Sequence, residues 1–249
     1  MPETNEIILE LKEVNKSFGG LLAVNKVNLS LNKGELRALI GPNGAGKTTL
    51  LNLINGIFPV SGGQIFFKGK EITNLSPHRI SHIGIARTLQ ITSLFSGSTV
   101  YENIWIAVQS RKRIYNPLVH ASKRKDVKDK TEYMLELIGL KEKAQTVSSE
   151  LSYGDQRILE IGVALSTEPE LLLLDEPTAG LSTEESVILV KKVQGMIAGK
   201  TIILVEHDMG VVMGLAERIT VLNYGEIIAE GTPQEIKDNE EVRKIYLGT

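Results

Sequence analysis

Residues 41–48 read Gly41-Pro-Asn-Gly-Ala-Gly-Lys47-Thr48, a G-x-x-x-x-G-K-[ST] spacing. The chemistry that spacing serves is phosphate binding. Gly41, Gly44 and Gly46 let successive backbone N–H groups turn inward around an anion. A helix starting just after them aims its positive end at the same anion. Lys47 supplies a point charge for β- and γ-phosphates, and the Thr48 hydroxyl suits Mg²⁺. Pro42, Asn43, Ala45 and Thr49 complete the candidate loop. A plain glycine turn is the alternative, and the flanks count against it. Residues 35–40 read as a strand, and residues 48–56 as a helix stopped by Gly56 and Pro59.

A second set of chemistry-bearing residues lies far down the chain. Residues 171–174 are four leucines, followed by Asp175, Glu176, Pro177 and Thr178. So apolar a run is expected to be buried on both faces of a parallel sheet, with its carboxyl end where ligands bind. Asp175 is then placed for the Mg²⁺ shell. Glu176 is expected on the opposite face, by the alternation of strand side chains, as a general base for water. A strand-end acid also caps helices, but the phosphate loop in the same chain favours the catalytic reading. His207 follows another apolar run, residues 201–205. It reads as a structural histidine or as a group reaching the γ-phosphate. Ser152 and Gly154 precede an amphipathic segment and read equally as an anion site or as a helix cap. Gln90 on its own reads as a surface residue.

The elements that must carry these residues form a recognisable order. Residues 7–14 and 27–31 alternate apolar and polar, as half-buried strands do. A short strand is expected at 64–67, a helix opening at Ser76-Pro77, and a strand at 83–87. Residues 100–109, 123–138 and 155–165 carry helical periodicity with no clear strand among them. Strand and helix then alternate again, with strands at 171–174, 201–205, 219–222 and 226–229 and helices within 183–197 and 209–217. The expectation is an α/β core with an antiparallel section near its start and an inserted helical part.

The chain has 249 residues, with 28 Lys and Arg against 30 Asp and Glu, a net charge of -2. That balance argues against a general nucleic-acid binder. Cysteine is absent, which excludes disulfides, thiolate metal sites and cysteine nucleophiles. The first residues are acidic and polar, unlike a secretory signal, and no apolar run reaches membrane-spanning length. A soluble, cytoplasmic chain is expected.

Taken together these residues resemble an ABC-type ATPase, the nucleotide-binding subunit of an ABC transporter. Residues 41–48 match its Walker A loop, and residues 171–176 look like Walker B with its catalytic Glu. Gln90 matches the Q-loop, residues 179–182 the D-loop and His207 the switch histidine. Residues 151–156, Leu-Ser-Tyr-Gly-Asp-Gln, look like the LSGGQ signature, with Tyr153 in place of its first Gly and Asp155 in place of its Gln. Asp155 favours a helix start but is a like charge near a nucleotide. Phe18, before Gly19-Gly20, falls where the family stacks an aromatic ring on adenine. Within the family the pattern is most similar to the LivG-type subunits of branched-chain amino acid importers. It is carried by Phe18-Gly-Gly-Leu21, by residues 84–90 and by Ile245-Tyr246-Leu247-Gly248.

The resemblance implies a P-loop NTPase fold with an antiparallel β subdomain. Residues 1–90 and 161–249 would form the core, and 91–160 the helical insertion. It implies ATP hydrolysis with Glu176, His207 and Gln90 catalytic, and Mg²⁺ held by Thr48, Gln90 and Asp175. Phe18, residues 41–49, Ser152 and Gly154 would bind nucleotide. The implied partners are a second ABC ATPase subunit packed head to tail, transmembrane permease subunits and, indirectly, a substrate-binding protein; the implied address is the cytoplasmic face of the membrane. An exporter or lipid-transport ATPase, or a soluble ABC ATPase outside transport, is the alternative. A single cassette without sustained heptads argues against the last. Residues 111–130 are rich in Lys and Arg, which reads as a solvated helical face or a surface near anionic lipid.

Overall fold

In the computed structural model, which describes residues 6–88, 94–110 and 125–247, the alternating pattern at the start of the chain becomes a long hairpin. β1 (Ile7–Phe18) and β2 (Leu21–Asn32) pair antiparallel around Gly19-Gly20, with Phe18 opposite Leu21. Val27, Leu29 and Leu31 are buried while Asn28 and Ser30 are exposed, the period of two that a half-buried strand requires. The alternation ends at Val14 but the strand does not. Register shifts beyond Leu11, with Glu13 at φ 48°, carry β1 on to Phe18 out of phase. β4 (Gly62–Phe67) pairs with the other edge of β1 and with β5 (Lys70–Glu71). α2 (Pro77–His82) begins with proline at its first turn, as expected. The next strand, β6 (Ile85–Arg87), starts later than its sequence suggests, because Gly84 at φ 108° turns the chain first.

β3 (Leu36–Ile40), β7 (Leu171–Asp175) and β8 (Thr201–Val205) are buried at every position. β8 lies between the other two, parallel to both. β9 (Arg218–Asn223) runs parallel to β3, and β10 (Glu226–Gly231) closes that edge antiparallel. Among the described residues the sheets have the orders β2-β1-β4-β5 and β10-β9-β3-β8-β7-β6. Burial on both faces explains the apolar runs of β7 and β8; in β3 the buried Arg37 interrupts the run and is paired with Glu35 and Glu230. α1 (Lys47–Ile54) follows β3 directly and buries Leu50, Leu51 and Ile54 in the core with Leu39, Leu173 and Val205. α7 (Met209–Leu215), α8 (Pro233–Asp238) and α9 (Glu240–Leu247) complete this part, with a capping box at Thr232 and Glu235.

The chain divides into two compact units. One comprises the residues up to Ile85, Glu170–Glu176 and those from Gly199 on; the other comprises Ala86–Pro169 and Pro177–Ala198. In the second unit α3 (Val100–Ser110), α4 (Lys125–Leu137), α5 (Tyr153–Ser166) and α6 (Thr183–Ile197) follow the helical periodicity of the sequence. Ile104, Ala107 and Val108 are buried while Ile106 is exposed, so α3 is amphipathic. A Cβ at Gly162 of α5 would lie 2.9 Å from Ile138, so glycine sets the close approach there.

Candidate active site

The loop between β3 and α1 is held by its glycines. Gly41 has φ 154° and Gly46 φ 103°; a Cβ at Gly41 would lie 2.1 Å from the Leu222 carbonyl oxygen, and one at Gly46 2.4 Å from that of Ala23. No side chain fits either place. The loop is tied to its neighbours by backbone hydrogen bonds. Gly225 N–H donates to Ala45 (2.9 Å), and Asn25 N–H donates to Gly225 (2.8 Å). Lys47 is buried at the start of α1, and its Nζ donates to the carbonyls of Gly41 (2.7 Å) and Pro42 (3.0 Å). Burial pushes its pKa down, against the charges of Glu176 and Asp175, which raise it; the outcome is below the ordinary lysine value.

A cavity of about 380 Å³ is lined by Asn43, Gly44, Ala45, Gly46, Lys47, Thr48 and Thr49 from this loop and helix, together with Phe18, Leu21, Leu22, Ala23, Glu176, His207 and Tyr224. Glu176 Oε1 and His207 Nε2 are 2.7 Å apart. Strand alternation is not what aims Glu176. The strand ends at Asp175, and Glu176 has φ 49°, in the left-handed region that a long side chain enters at a cost. Its N–H donates to the Val205 carbonyl (2.9 Å), which holds the backbone to β8 while the side chain turns toward His207. His207 N–H in turn donates to the buried Glu206 carboxylate (3.0 Å). Asp175 is 2 % exposed at the end of β7. A polyanion in this cavity would meet loop N–H groups, an ammonium and a helix start, with a carboxylate and an imidazole across from them.

The aromatic end of the cavity holds more than the sequence suggested. Phe18 packs edge-on against Phe58 (centroids 5.3 Å apart), and Lys16 Nζ lies 4.8 Å from the Phe18 centroid. Leu21, Leu22 and Tyr224, the last 86 % exposed, line the same cavity. Tyr224-Gly225 reads in the sequence only as a turn. The Gly225–Ala45 hydrogen bond that brings it to the phosphate loop is a long-range pairing that local pattern does not reveal. Gln90 lies outside the described residues, as does the basic stretch from 111 to 124.

Ser152 and Gly154 belong to the helical unit and do not line the cavity among the described residues. Ser152 is the N-cap of α5, its Oγ accepting from the Asp155 N–H (3.3 Å). Asp155 is not a bare charge: Lys143 Nζ lies 2.5 Å from its Oδ2.

The donors beside the cavity fit a magnesium ion. Thr48 lines the cavity and the Asp175 carboxylate acts electrostatically on Lys47 beside it; hydroxyl and carboxylate are both hard oxygen donors. Mg²⁺ takes one or two protein oxygens together with phosphates and water, which matches so sparse a set.

Two family models match the sequence, one described as ABC transporter over residues 24–179 and one as branched-chain amino acid ATP-binding cassette transporter over residues 226–249. The chain is similar to the high-affinity branched-chain amino acid transport ATP-binding protein LivG of Escherichia coli (strain K12), with 41% identity over 97% of this chain and 98% of that protein. It is also similar in structure to the ADP conformation of MJ1267, an ATP-binding cassette of an ABC transporter. The TM-score is 0.85 and the identity 31%, over 98% of this chain and 99% of the other. The dimeric post-hydrolysis structure of the ATP-binding cassette MJ0796 bound to ADP and Pi matches with TM-score 0.77 and 26% identity, over 91% of this chain and 99% of that one.

Proposed function

The chain belongs to the ABC transporter family of ATP-binding cassettes, and from that premise we propose that it is the ATP-hydrolysing subunit of an importer for branched-chain or related amino acids. The observation that carries the hydrolytic part is the 2.7 Å contact between Glu176 and His207 in a cavity lined by the phosphate loop. The cargo part is supported by the LivG likeness over nearly the whole chain and by the branched-chain transporter model at residues 226–249.

ATP phosphates take the inward N–H groups of residues 41–48 and the Lys47 ammonium, which leaves the carbonyls of Gly41 and Pro42 for phosphate oxygens. Phe18, Leu21, Leu22 and Tyr224 give the base an apolar and aromatic surface. Glu176 accepts a proton from the attacking water as its oxygen bonds to the γ-phosphorus. The bond from phosphorus to the β–γ bridging oxygen breaks, and ADP leaves with that electron pair. His207 fixes the Glu176 carboxylate and contacts the γ-phosphate. Mg²⁺, held by Thr48 and Asp175 with Gln90 as a third candidate, would neutralise phosphate charge.

The working form is a pair with a second cassette packed head to tail; the dimeric structure of the MJ0796 cassette supports the pairing itself. Ser152 and Gly154 serve the nucleotide of the other subunit. No described helix is long and apolar enough to cross a membrane, so transport requires permease subunits, with the cassette at their cytoplasmic face and a substrate-binding protein delivering cargo. Reconstitution with its permease subunits and binding protein in vesicles tests the reading. ATP-dependent uptake of leucine, isoleucine or valine is expected. Hydrolysis that no amino acid stimulates, with no uptake, refutes it.

A further inference from the structure

Tyr153 stands where the signature pattern has glycine, and it makes contacts glycine could not. It is the first residue of α5 and 42 % exposed, yet its phenol is engaged on three sides. The hydroxyl donates to the Ala179 carbonyl (3.1 Å) and accepts from Arg157 Nη2 (2.5 Å). The Arg157 guanidinium also faces the ring, with Cζ 4.9 Å from its centroid. A Cβ on Gly180, at φ 82°, would lie 3.1 Å from the ring at its nearest point. Arg157 is itself fixed: it is 8 % exposed, and its Nη1 donates to the 4 % exposed Glu160 (2.8 Å). Burial works against its charge, and the hydrogen bond and charge of Glu160 outweigh it, so the guanidinium is held firmly protonated.

The tyrosine therefore bridges the start of α5 to the segment Ala179-Gly180. That segment lies three residues after Glu176, a tether of at most about 10 Å. We infer that Tyr153 is a positioning residue for hydrolysis: its hydroxyl, oriented by Arg157, locks Ala179-Gly180 to the start of α5, so that the signature segment and the chain just downstream of Glu176 move together. The inference rests on the role proposed above for Glu176. Pairing of two subunits through their α5 starts would then adjust the alignment of the base, and turnover would depend on a residue that does not line the cavity.

Tyr153→Phe keeps the ring against Gly180 and removes both hydrogen bonds. Steady-state hydrolysis and ATP binding by fluorescence titration are measured for Tyr153→Phe, Arg157→Lys and the double variant, with Glu176→Gln as reference. The expected kcat falls about 2- to 10-fold in Tyr153→Phe, because, of the two bonds lost, only the one to the Ala179 carbonyl bridges the segments, with ATP Kd unchanged. The double variant falls no further than the worse single one, because one bridge is broken in each. Thermal unfolding accompanies each assay; a lower Tm with wild-type kcat would mark a merely structural contact and overturn the inference. So would additive losses, or a Kd that weakens as kcat falls. If Glu176→Gln itself retains wild-type turnover, the base assignment fails and this inference with it. If Glu176→Gln is inactive and Tyr153→Phe is not impaired, the inference alone fails.

Discussion

Glu176 carries its carboxylate on a backbone at φ 49°, and that conformation has a measurable cost. A non-glycine residue in a sparsely populated region is strained by about 1–3 kcal/mol. Glu176→Gly and Glu176→Ala both remove the carboxylate and its 2.7 Å contact with His207, so they differ only in the backbone. Glycine releases the strain, and alanine retains it. Glycine gives back about 0.4–1 kcal/mol through the greater freedom of its unfolded chain. The difference left is about 1 kcal/mol in favour of glycine, or roughly 2–4 °C in Tm for a chain of this size. Thermal unfolding without nucleotide, repeated by urea titration, measures it. The glycine variant should unfold later while being as inactive as the alanine variant. An alanine variant that unfolds at the same temperature or later would refute the argument that strain at this position is retained for the placement of the base.

Other outcomes follow from the same geometry. Burial holds the Lys47 pKa below its ordinary value in the free protein, and phosphates favour the charged form, so ATP binding should take up protons at alkaline pH. Affinity is full below the free-protein pKa of Lys47 and falls as pH rises through it, before an ordinary lysine titrates. Without ATP the sign reverses: the unfolded chain binds that proton more tightly, so the Lys47 contribution to stability improves as pH climbs toward the ordinary lysine value. Calorimetry in two buffers of different ionisation enthalpy checks the first statement, and the absence of proton uptake contradicts it. Asp155 is paired with the half-exposed Lys143, a bridge worth about 0.2–1 kcal/mol. Asp155→Gln removes one negative charge and leaves Lys143 unpaired, so it should tighten ATP-driven pairing modestly at low salt, read by sedimentation in a Glu176→Gln background. Lys143→Gln should weaken pairing at low salt and recover at high salt. Gly46→Ala pushes a methyl toward the Ala23 carbonyl oxygen and should cost about 2 kcal/mol or more, with weaker ATP binding. A stable variant with normal affinity would contradict the stated tightness of the loop.

What the sequence made legible was what depends on local pattern. The runs at 171–174 and 202–205 are apolar without alternation because the sheet is covered on both faces, and the structure buries every residue of them. The phosphate loop was legible because only glycine tolerates its dihedrals and close approaches. The orientation of Glu176 was not, since periodicity describes strands and Glu176 lies just beyond one, in a conformation only coordinates reveal. Tyr224 escaped for a different reason: a turn sequence does not say which loop its backbone will bond. Asp155 was half legible. Its favourable place at a helix start is a local rule, but its partner Lys143 ends a short 3-10 turn twelve residues upstream, through a pairing with no periodic signature.

The most direct measurement compares ATP turnover and ATP binding in the parent chain and in Glu176→Gln. Glutamine keeps the shape of the side chain and removes the base, while Lys47 and the loop glycines remain to hold the phosphates. The expected result is turnover lower by roughly 100-fold or more, with ATP Kd within about 2-fold and a nucleotide-bound dimer that persists. Turnover within a few-fold of the parent chain would contradict the assignment of Glu176 as the group that activates water.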